Sequence, residues 1–451
     1  MKNNRRKFIR DLGVLGAAGA STQLIHSREK SMNRQTLVIP NHQFRVKGKT
    51  PIKIGLIGAG GMGISDVRTA LKVPEISLIA VCDLYHERLK KAKSLWGNTI
   101  LTTTDYNVLL QNEDIDAVII ATPDHLHKKI SVDALKADKH VYCEKPMLHS
   151  INEGNELVEA WKTSGKMYQV GSQGLSSLGN EKAKELLEEG VIGNLNYAEG
   201  FWARNSPIGA WQYPIPEDAS PDNIDWKRFI EEAPNHSFDP VRFFRWRNYL
   251  DYGTGMAGDL FVHLFSSLHF ITNSLGPTKI AAMGGLRFWK DGREVPDVLL
   301  GMFDYPSTKK HPGFNLSLRC NFVDGTSGNT YLRLVGDKGA MDIEWDRVVL
   351  RKNEPISMDD PFSKEKSGQV VTSEQRKKML PPPEIIYEAE KGYKGAHYDH
   401  FSNFFEAIRN GNTLIEDPEF GFRAAAPALL CNQSYLENKI LGWDPEKMKI
   451  I

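Results

Sequence analysis

Cysteine is scarce in this chain of 451 residues: Cys82, Cys143, Cys320 and Cys431 are all there is, and no two share a C-x-x-C or other paired spacing. That scarcity argues against a disulfide framework and a cysteine zinc site, and it leaves free core thiols as the expectation. A charge of one sign is lacking as well. Lys and Arg number 57 against 56 Asp and Glu, for a net charge of +1, so no basic field advertises nucleic acid and no acidic tail advertises a basic partner. No apolar run reaches the roughly 20 residues that span a bilayer, so no integral membrane segment is expected in the mature chain. Internal repeats and low-complexity tracts are also missing. What is left is a soluble globular composition, 41% apolar and 25% charged, on a chain too long for one core. Two domains and a leader follow, with a small molecule as the default partner.

The leader is Asn3-Asn4-Arg5-Arg6-Lys7-Phe8-Ile9-Arg10 and then a short Gly- and Ala-rich run, Leu12 to Ala20. Paired arginines before a weakly apolar segment read as a twin-arginine export signal. Asn4 stands where Ser or Thr is usual, and no small-x-small cleavage site stands out. Residues 1–35 are expected to be signal and linker, and the mature protein periplasmic or otherwise exported; with a non-functional leader it is cytoplasmic. Twin-arginine export carries folded proteins, so a nucleotide acquired before crossing would be kept and recycled.

The apolar run Ile52 to Ile57 leads directly into Gly58-Ala59-Gly60-Gly61-Met62-Gly63, a G-x-G-x-x-G that opens a helical pattern. Glycine also serves turns that bind nothing, so the strand before and the helix after give the motif its meaning. These glycines close the turn, let backbone approach a pyrophosphate and let helix pack on strand, while the helix amino terminus adds partial positive charge. The next strand pattern ends at Asp83, whose carboxylate can accept from an adenosine ribose. A free ribose diol suits that acid and a 2′-phosphate is repelled, so NAD is expected over NADP. Strands near 52–58, 77–82, 116–121, 139–143 and 167–171 alternate with helices near 62–72, 85–95, 125–137 and 150–164. Strands such as Ala117 to Ala121 are apolar without alternation, as parallel strands covered on both faces are. The fold class is therefore α/β: a Rossmann doubly wound parallel sheet over 50–172, then a domain over 173–451 whose widely spaced strands predict an open, mainly antiparallel sheet. Ser206 to Asp239, with five prolines, reads as a long surface excursion, 22–50 as an irregular lead-in, and 353–394 as another irregular insertion. Tyr398 to Asn410 is an amphipathic helix with Phe401, Phe404, Phe405 and Ile408 on one face.

Chemistry is carried by Glu144-Lys145-Pro146, closing a strand at the sheet edge where Rossmann ligands sit, and by Asp259 and His263. Lysine at that edge can hold a substrate hydroxyl and take part in proton transfer. Asp259 and His263, four apart on what reads as one helix, share a face. Removing hydride from a carbinol carbon requires the hydroxyl to lose its proton, and imidazole suits that near neutrality. A helix packing around one satisfied histidine would show the same pair. His269 follows on the segment, but no further ligand has telling spacing, and no metal is expected. Trp202-Ala203-Arg204 and Arg245-Trp246-Arg247 are candidate sugar contacts, with Trp202, Arg245 and Trp246 foremost, because arginine supplies fixed donors and indole stacks on a pyranose face.

Taken together, Gly58-x-Gly60-x-x-Gly63, Ala121-Thr122-Pro123 with His127, Glu144-Lys145-Pro146 and Asp259-x-x-x-His263 resemble the glucose-fructose oxidoreductase and inositol dehydrogenase family (Gfo/Idh/MocA) over residues 50 to 435. The resemblance implies a sugar held between nicotinamide and the second sheet. It implies catalytic roles for Lys145 and His263 with help from Asp259, and a cofactor lined by Thr122, Pro123, His127, Glu144 and Lys145 in addition to Gly58, Gly60, Gly61, Met62, Gly63 and Asp83. Asp259 falls later than is usual in the family because of the Ser206 to Asp239 excursion, so the substrate pocket is expected to differ.

The expected function is an NAD(P)-dependent oxidoreductase moving hydride between a sugar, glycoside or cyclitol hydroxyl carbon and tightly bound nicotinamide. The alternative is an NAD-dependent glycoside hydrolase working by transient oxidation and elimination; a non-catalytic sugar or nucleotide binder is a third reading. The open sheet face is expected to pair with a second copy as a homo-oligomer.

Overall fold

The computed structural model describes residues 34–41, 50–326, 330–353 and 383–451, with a few positions between 365 and 372. The twin-arginine leader lies outside the described residues. Strand β1 (Arg34–Ile39) comes first, inside the stretch read as an irregular lead-in, and it joins the second domain. The first domain is a six-stranded parallel sheet made of β2 (Ile52–Ile57), β3 (Ile76–Cys82), β4 (Leu101–Thr103), β5 (Ala117–Ile120), β6 (His140–Cys143) and β7 (Tyr168–Val170), in the order β4-β3-β2-β5-β6-β7. All four residues of β5 are buried, as expected of a strand with helices on both faces. The order reverses beside β2, so the carboxyl ends of β2 and β5 open the crevice where such sheets bind ligands.

The second domain is an eleven-stranded mixed sheet. Its strands are β1, β8 (Leu195–Ala203), β9 (Lys279–Gly285), β10 (Val298–Tyr305), β11 (Phe314–Asn321), β12 (Thr330–Gly336), β13 (Gly339–Ile343), β14 (Arg347–Lys352), β15 (Glu384–Ala389), β16 (Leu441–Asp444) and β17 (Lys449–Ile450). Most neighbours are antiparallel, whereas β8 with β11 and β1 with β15 are parallel. The parallel pair β1–β15 ties the lead-in to the stretch read as a second irregular insertion, so both of those expectations are corrected. Along β10 buried and exposed residues alternate. Leu299 and Phe303 turn toward helices 178–188, 262–272 and 418–437, while Leu300 and Met302 face outward beside Met283 of β9.

The helix Ala396–Asn410, late in the chain, returns to the first sheet. Phe401, Phe404 and Phe405 are fully buried in one core with Ile54, Val67 and Tyr142, and Phe401 stacks on Tyr142 at 4.3 Å between ring centres. A helix that follows β15 of the second sheet in sequence thereby locks onto the first sheet.

Candidate active site

The glycine loop forms because only glycine fits it. Gly58 has φ +96°, and a Cβ there would lie 2.6 Å from the backbone of Ala121; a Cβ on Gly63 would collide with the Gly58 carbonyl. Gly61 has nothing within 4 Å of a Cβ position, so the backbone there is open to a ligand. The helix Gly61–Ala70 begins at this opening with no side-chain cap and no acid in its first turn. Its free N–H groups and dipole suit a pyrophosphate. Asp83 closes β3, buried, accepting from Ala59 N at 2.7 Å and Tyr85 N at 2.9 Å, with Arg88 Nη1 at 3.5 Å. Its carboxylate is thus set by the turn at the place where a ribose would meet it. Thr122 Oγ1 is buried on the cleft wall with no hydrogen-bond partner among the described residues. An open glycine turn, an uncapped helix start and an orphaned hydroxyl in one crevice together fit a dinucleotide.

A single cleft of about 920 Å³ runs from this loop to the second sheet, and Gly58, Gly60, Gly61, Met62, Asp83, Thr122, Pro123, His127, Glu144, Lys145, Trp202, Trp246, Asp259 and His263 all line it. Gly63 lies under the loop as a packing residue. His127 is buried with Nδ1 on the Pro146 carbonyl at 2.7 Å and Nε2 on the Thr122 carbonyl at 2.8 Å. Two carbonyl acceptors require both ring nitrogens to donate, so the ring is a cationic clamp that ties the Thr122 turn to the Lys145–Pro146 turn. The Lys145–Pro146 peptide is cis.

Lys145 Nζ donates to the Asp259 carbonyl at 2.7 Å and to Asp259 Oδ1 at 2.8 Å, and Arg247 Nε donates to the same Oδ1 at 3.2 Å. Burial alone would raise the Asp259 carboxyl, but Lys145 and Arg247 overcome it and hold the group ionised far below the ordinary carboxylate range. Burial, then the Lys145 charge, hold His263 well below the usual imidazole range, so the ring is neutral near pH 7. Its Nδ1 has no hydrogen-bond partner among the described residues, and the ring stacks on Trp202 at 5.3 Å. The helical segment carrying the pair is not uniform. Ala257–Phe261 is a π-helical turn and the α-helix begins at Val262, so Asp259 and His263 flank a π/α junction. Burial pushes the Glu144 carboxyl up to about 7 behind Lys145, where Gln173 Nε2 donates to it at 2.6 Å.

One sequence-based expectation changes. Arg245 lies outside the cleft: it donates to the Tyr213 carbonyl at 2.9 Å and to Gln212 Oε1 at 2.7 Å, holding the excursion, and Arg247, two residues on, faces Asp259 instead. His269 is buried and bonded to the Tyr305 hydroxyl at 2.9 Å, and no group of three potential metal ligands occurs among the described residues. Trp345 and His397 also line the cleft near His263. Neither stood out in sequence, since they come from the β13–β14 turn and from the start of the Ala396–Asn410 helix.

The excursion proves to be a strap over the cleft. On the β3 bank, His86 N donates to Asn223 O at 3.0 Å, Asp225 N to Leu84 O at 2.9 Å, Tyr85 Oη to Asp218 at 2.7 Å, and Arg228 pairs with Asp105 at 3.0 Å. On the β5 bank, His125 Nε2 donates to the Phe229 carbonyl at 2.7 Å and Lys129 lies 3.8 Å from Glu231. Between the banks Phe229 is buried against Trp226, Phe243 and Tyr252 at 4.8 to 5.0 Å.

Two family models match the chain: an oxidoreductase family with an NAD-binding Rossmann fold over residues 52–172, and the C-terminal alpha/beta domain of that oxidoreductase family over 184–441. The uncharacterized oxidoreductase YrbE of Bacillus subtilis (strain 168) is 29% identical over 199 residues, 43% of this chain and 53% of that protein. The inositol 2-dehydrogenase of Salmonella typhimurium is 28% identical over 165 residues, 36% of this chain and 49% of the relative. The chain thus spans about half the length of the curated relatives it matches. Among solved structures, a levoglucosan dehydrogenase in complex with NADH and levoglucosan superposes with a TM-score of 0.62 at 18% identity, covering 87% of this chain and 99% of that one. An aldose-aldose oxidoreductase from Caulobacter crescentus, complexed with glycerol, does so at 0.63 and 16%, covering 87% and 100%. At these identities the likeness is one of fold.

Proposed function

Because this chain belongs to the Gfo/Idh/MocA oxidoreductase family, with its NAD-binding Rossmann domain and C-terminal alpha/beta domain, we propose that it oxidises or reduces a hydroxyl-bearing carbon of a sugar, glycoside or cyclitol with tightly held NAD. The observation that carries the reading is the Lys145–Asp259–His263 arrangement in the same cleft as the phosphate loop. Bound NAD supplies the hydride acceptor and donor. Lys145, fixed by two bonds to Asp259, offers its remaining N–H to the substrate hydroxyl, and neutral His263 accepts the hydroxyl proton. Asp259 keeps Lys145 aimed. Trp202 and Trp246 give the carbohydrate ring flat apolar faces.

The strap supports retention of the nucleotide through turnover, and retention fits a protein folded and loaded before export by the leader. The exposed Met283, Leu300 and Met302 of β9 and β10 support self-association through the outer face of the second sheet. The test is a panel of sugars, glycosides and cyclitols mixed with purified protein while nucleotide absorbance and product are followed together. Reduction of bound nucleotide, lost by about 10²-fold or more in His263→Ala, is the expected result. Aglycone release with no net change in nucleotide would replace the reading with glycoside hydrolysis. Denatured protein is expected to release NAD, and release of NADP would overturn the role given to Asp83.

A further inference from the structure

The substrate end of the cleft carries more positive side chains than one carboxylate balances. Lys145 and Arg247 both draw on the single oxygen Asp259 Oδ1. A third cation, Arg204, lines the same wall just past the end of β8, one residue beyond the sheet that carries Trp202. Its Nη1 donates to the Gly209 carbonyl at 3.0 Å and its guanidinium lies 5.8 Å from the Phe322 ring centre, but among the described residues it forms no ion pair. The other acids on this part of the wall are spoken for. Asp124 accepts from Thr254 N at 3.0 Å and Thr254 Oγ1 at 2.7 Å, and Glu144 is buried against Gln173. Arg204 is also close enough for its charge to bear on both Asp259 and His263. Its free guanidinium N–H groups form a planar fork suited to two oxygens of one anion. The same cleft is lined by Trp202 and Trp345, both against His263, and by Trp246, with Arg247 over its ring at 4.1 Å. Indole faces and a guanidinium without an ion pair in one cleft suit a ring with a negative substituent.

We propose that the carbohydrate taken by this site is anionic, bearing a carboxylate, sulfate or phosphate group that Arg204 binds. The inference rests on the oxidoreductase reading of the same cleft and adds the substrate class to it.

The test uses the purified holoenzyme and three sets of ligands in gluco, galacto and manno configuration: hexuronates, their neutral methyl esters, and hexose 6-sulfates with hexose 6-phosphates. Binding is read from tryptophan fluorescence and turnover from bound-nucleotide absorbance, for wild type, Arg204→Gln and Arg204→Lys, each checked for an unchanged melting profile and nucleotide content. At least one anionic set should bind about 30-fold tighter than its neutral counterpart, with Arg204→Gln bringing that ratio near one and Arg204→Lys keeping part of it, as loss of charge-assisted bonds predicts. Which set responds identifies the anionic group. No anionic set binding better than its neutral counterpart, or a ratio that survives Arg204→Gln in folded protein, would overturn the proposal while leaving the oxidoreductase reading in place. Arg204-dependent binding of an acid that never changes the nucleotide would have the opposite meaning: the recognition holds and the redox assignment fails.

Discussion

If the strap over the cleft governs how long the nucleotide stays, then Phe229→Ala should loosen it by an amount the packing sets. Phe229 is 1% exposed and lies within 5.5 Å, centre to centre, of Trp226, Phe243, Tyr252 and His125. Truncating a phenylalanine so enclosed costs about 3–5 kcal/mol, and the lower end applies because the aromatic cluster can partly collapse into the space. When the strap lifts, the side chain is exposed in either protein, so the loss falls mainly on the closed state. About 3 kcal/mol is roughly two decades in the opening equilibrium. If opening precedes release, exchange of bound NAD for a fluorescent NAD analogue in excess should quicken by about 10²-fold. Phe288→Ala, at a side chain 59% exposed and outside the strap, should exchange as wild type does. A Phe229→Ala protein that keeps its far-ultraviolet spectrum and exchanges within threefold of wild type would refute the gating argument.

Asp259→Asn leaves Lys145 and Arg247 facing each other in a largely buried site. Breaking a buried pair costs about 3–5 kcal/mol, discounted here to about 2–3 because the Lys145 and Arg247 side chains keep 11% and 25% exposure. A lower melting temperature with a much smaller kcat on any substrate found is the expected pair of results, and an unchanged melt would contradict the charge assignment. Glu416 is buried and bonded to Ser266 Oγ at 2.9 Å, and burial pushes its carboxyl up to about 8. A raised carboxyl stabilises the fold fully below its unfolded value of about 4.5, and that contribution is lost as pH rises toward 8. Stability from this group should therefore fall by on the order of 1 kcal/mol per pH unit across that window. Glu416→Gln should flatten the slope of melting temperature against pH, and an unaltered slope would exclude the group as its cause. Gly63→Ala forces a Cβ onto the Gly58 carbonyl, so purified variant protein should hold substoichiometric nucleotide by absorbance, with full occupancy counting against the loop's role.

Much of the site was legible because its signals are local. The glycine loop, Asp83 and Lys145 each sit at the carboxyl end of a short apolar run, and such runs reveal parallel strands without knowledge of what they pair with. The pairing of Asp259 with Lys145 spans 114 residues, and family resemblance rather than spacing brought those two together. Trp345 and His397 lie on segments whose periodicity reports packing, and packing hides the one side chain turned to the cleft. Arg245 and Arg247 flank a tryptophan beside a short 3-10 turn, Trp246–Asn248, where composition favours neither, and the turn alone decides which guanidinium reaches Asp259. Strand β1 escaped notice because its partner β15 lies more than 300 residues away, and β15, which also pairs with β14, because it follows a polar, proline-rich stretch. The pairing of β1 at that distance leaves no local mark.

The return of the Ala396–Asn410 helix to the first sheet has a consequence for anyone who would dissect this molecule. Phe401, Phe404 and Phe405 complete the nucleotide-binding half's own core beside Val67, Ala70 and Ala92, so a gene fragment stopped after residue 172 would leave part of one apolar face of its sheet bare to water. Such a fragment should be found in inclusion bodies. During synthesis the first half must wait, incompletely roofed, until nearly the whole chain has left the ribosome, and a chaperone is the natural guardian of that interval.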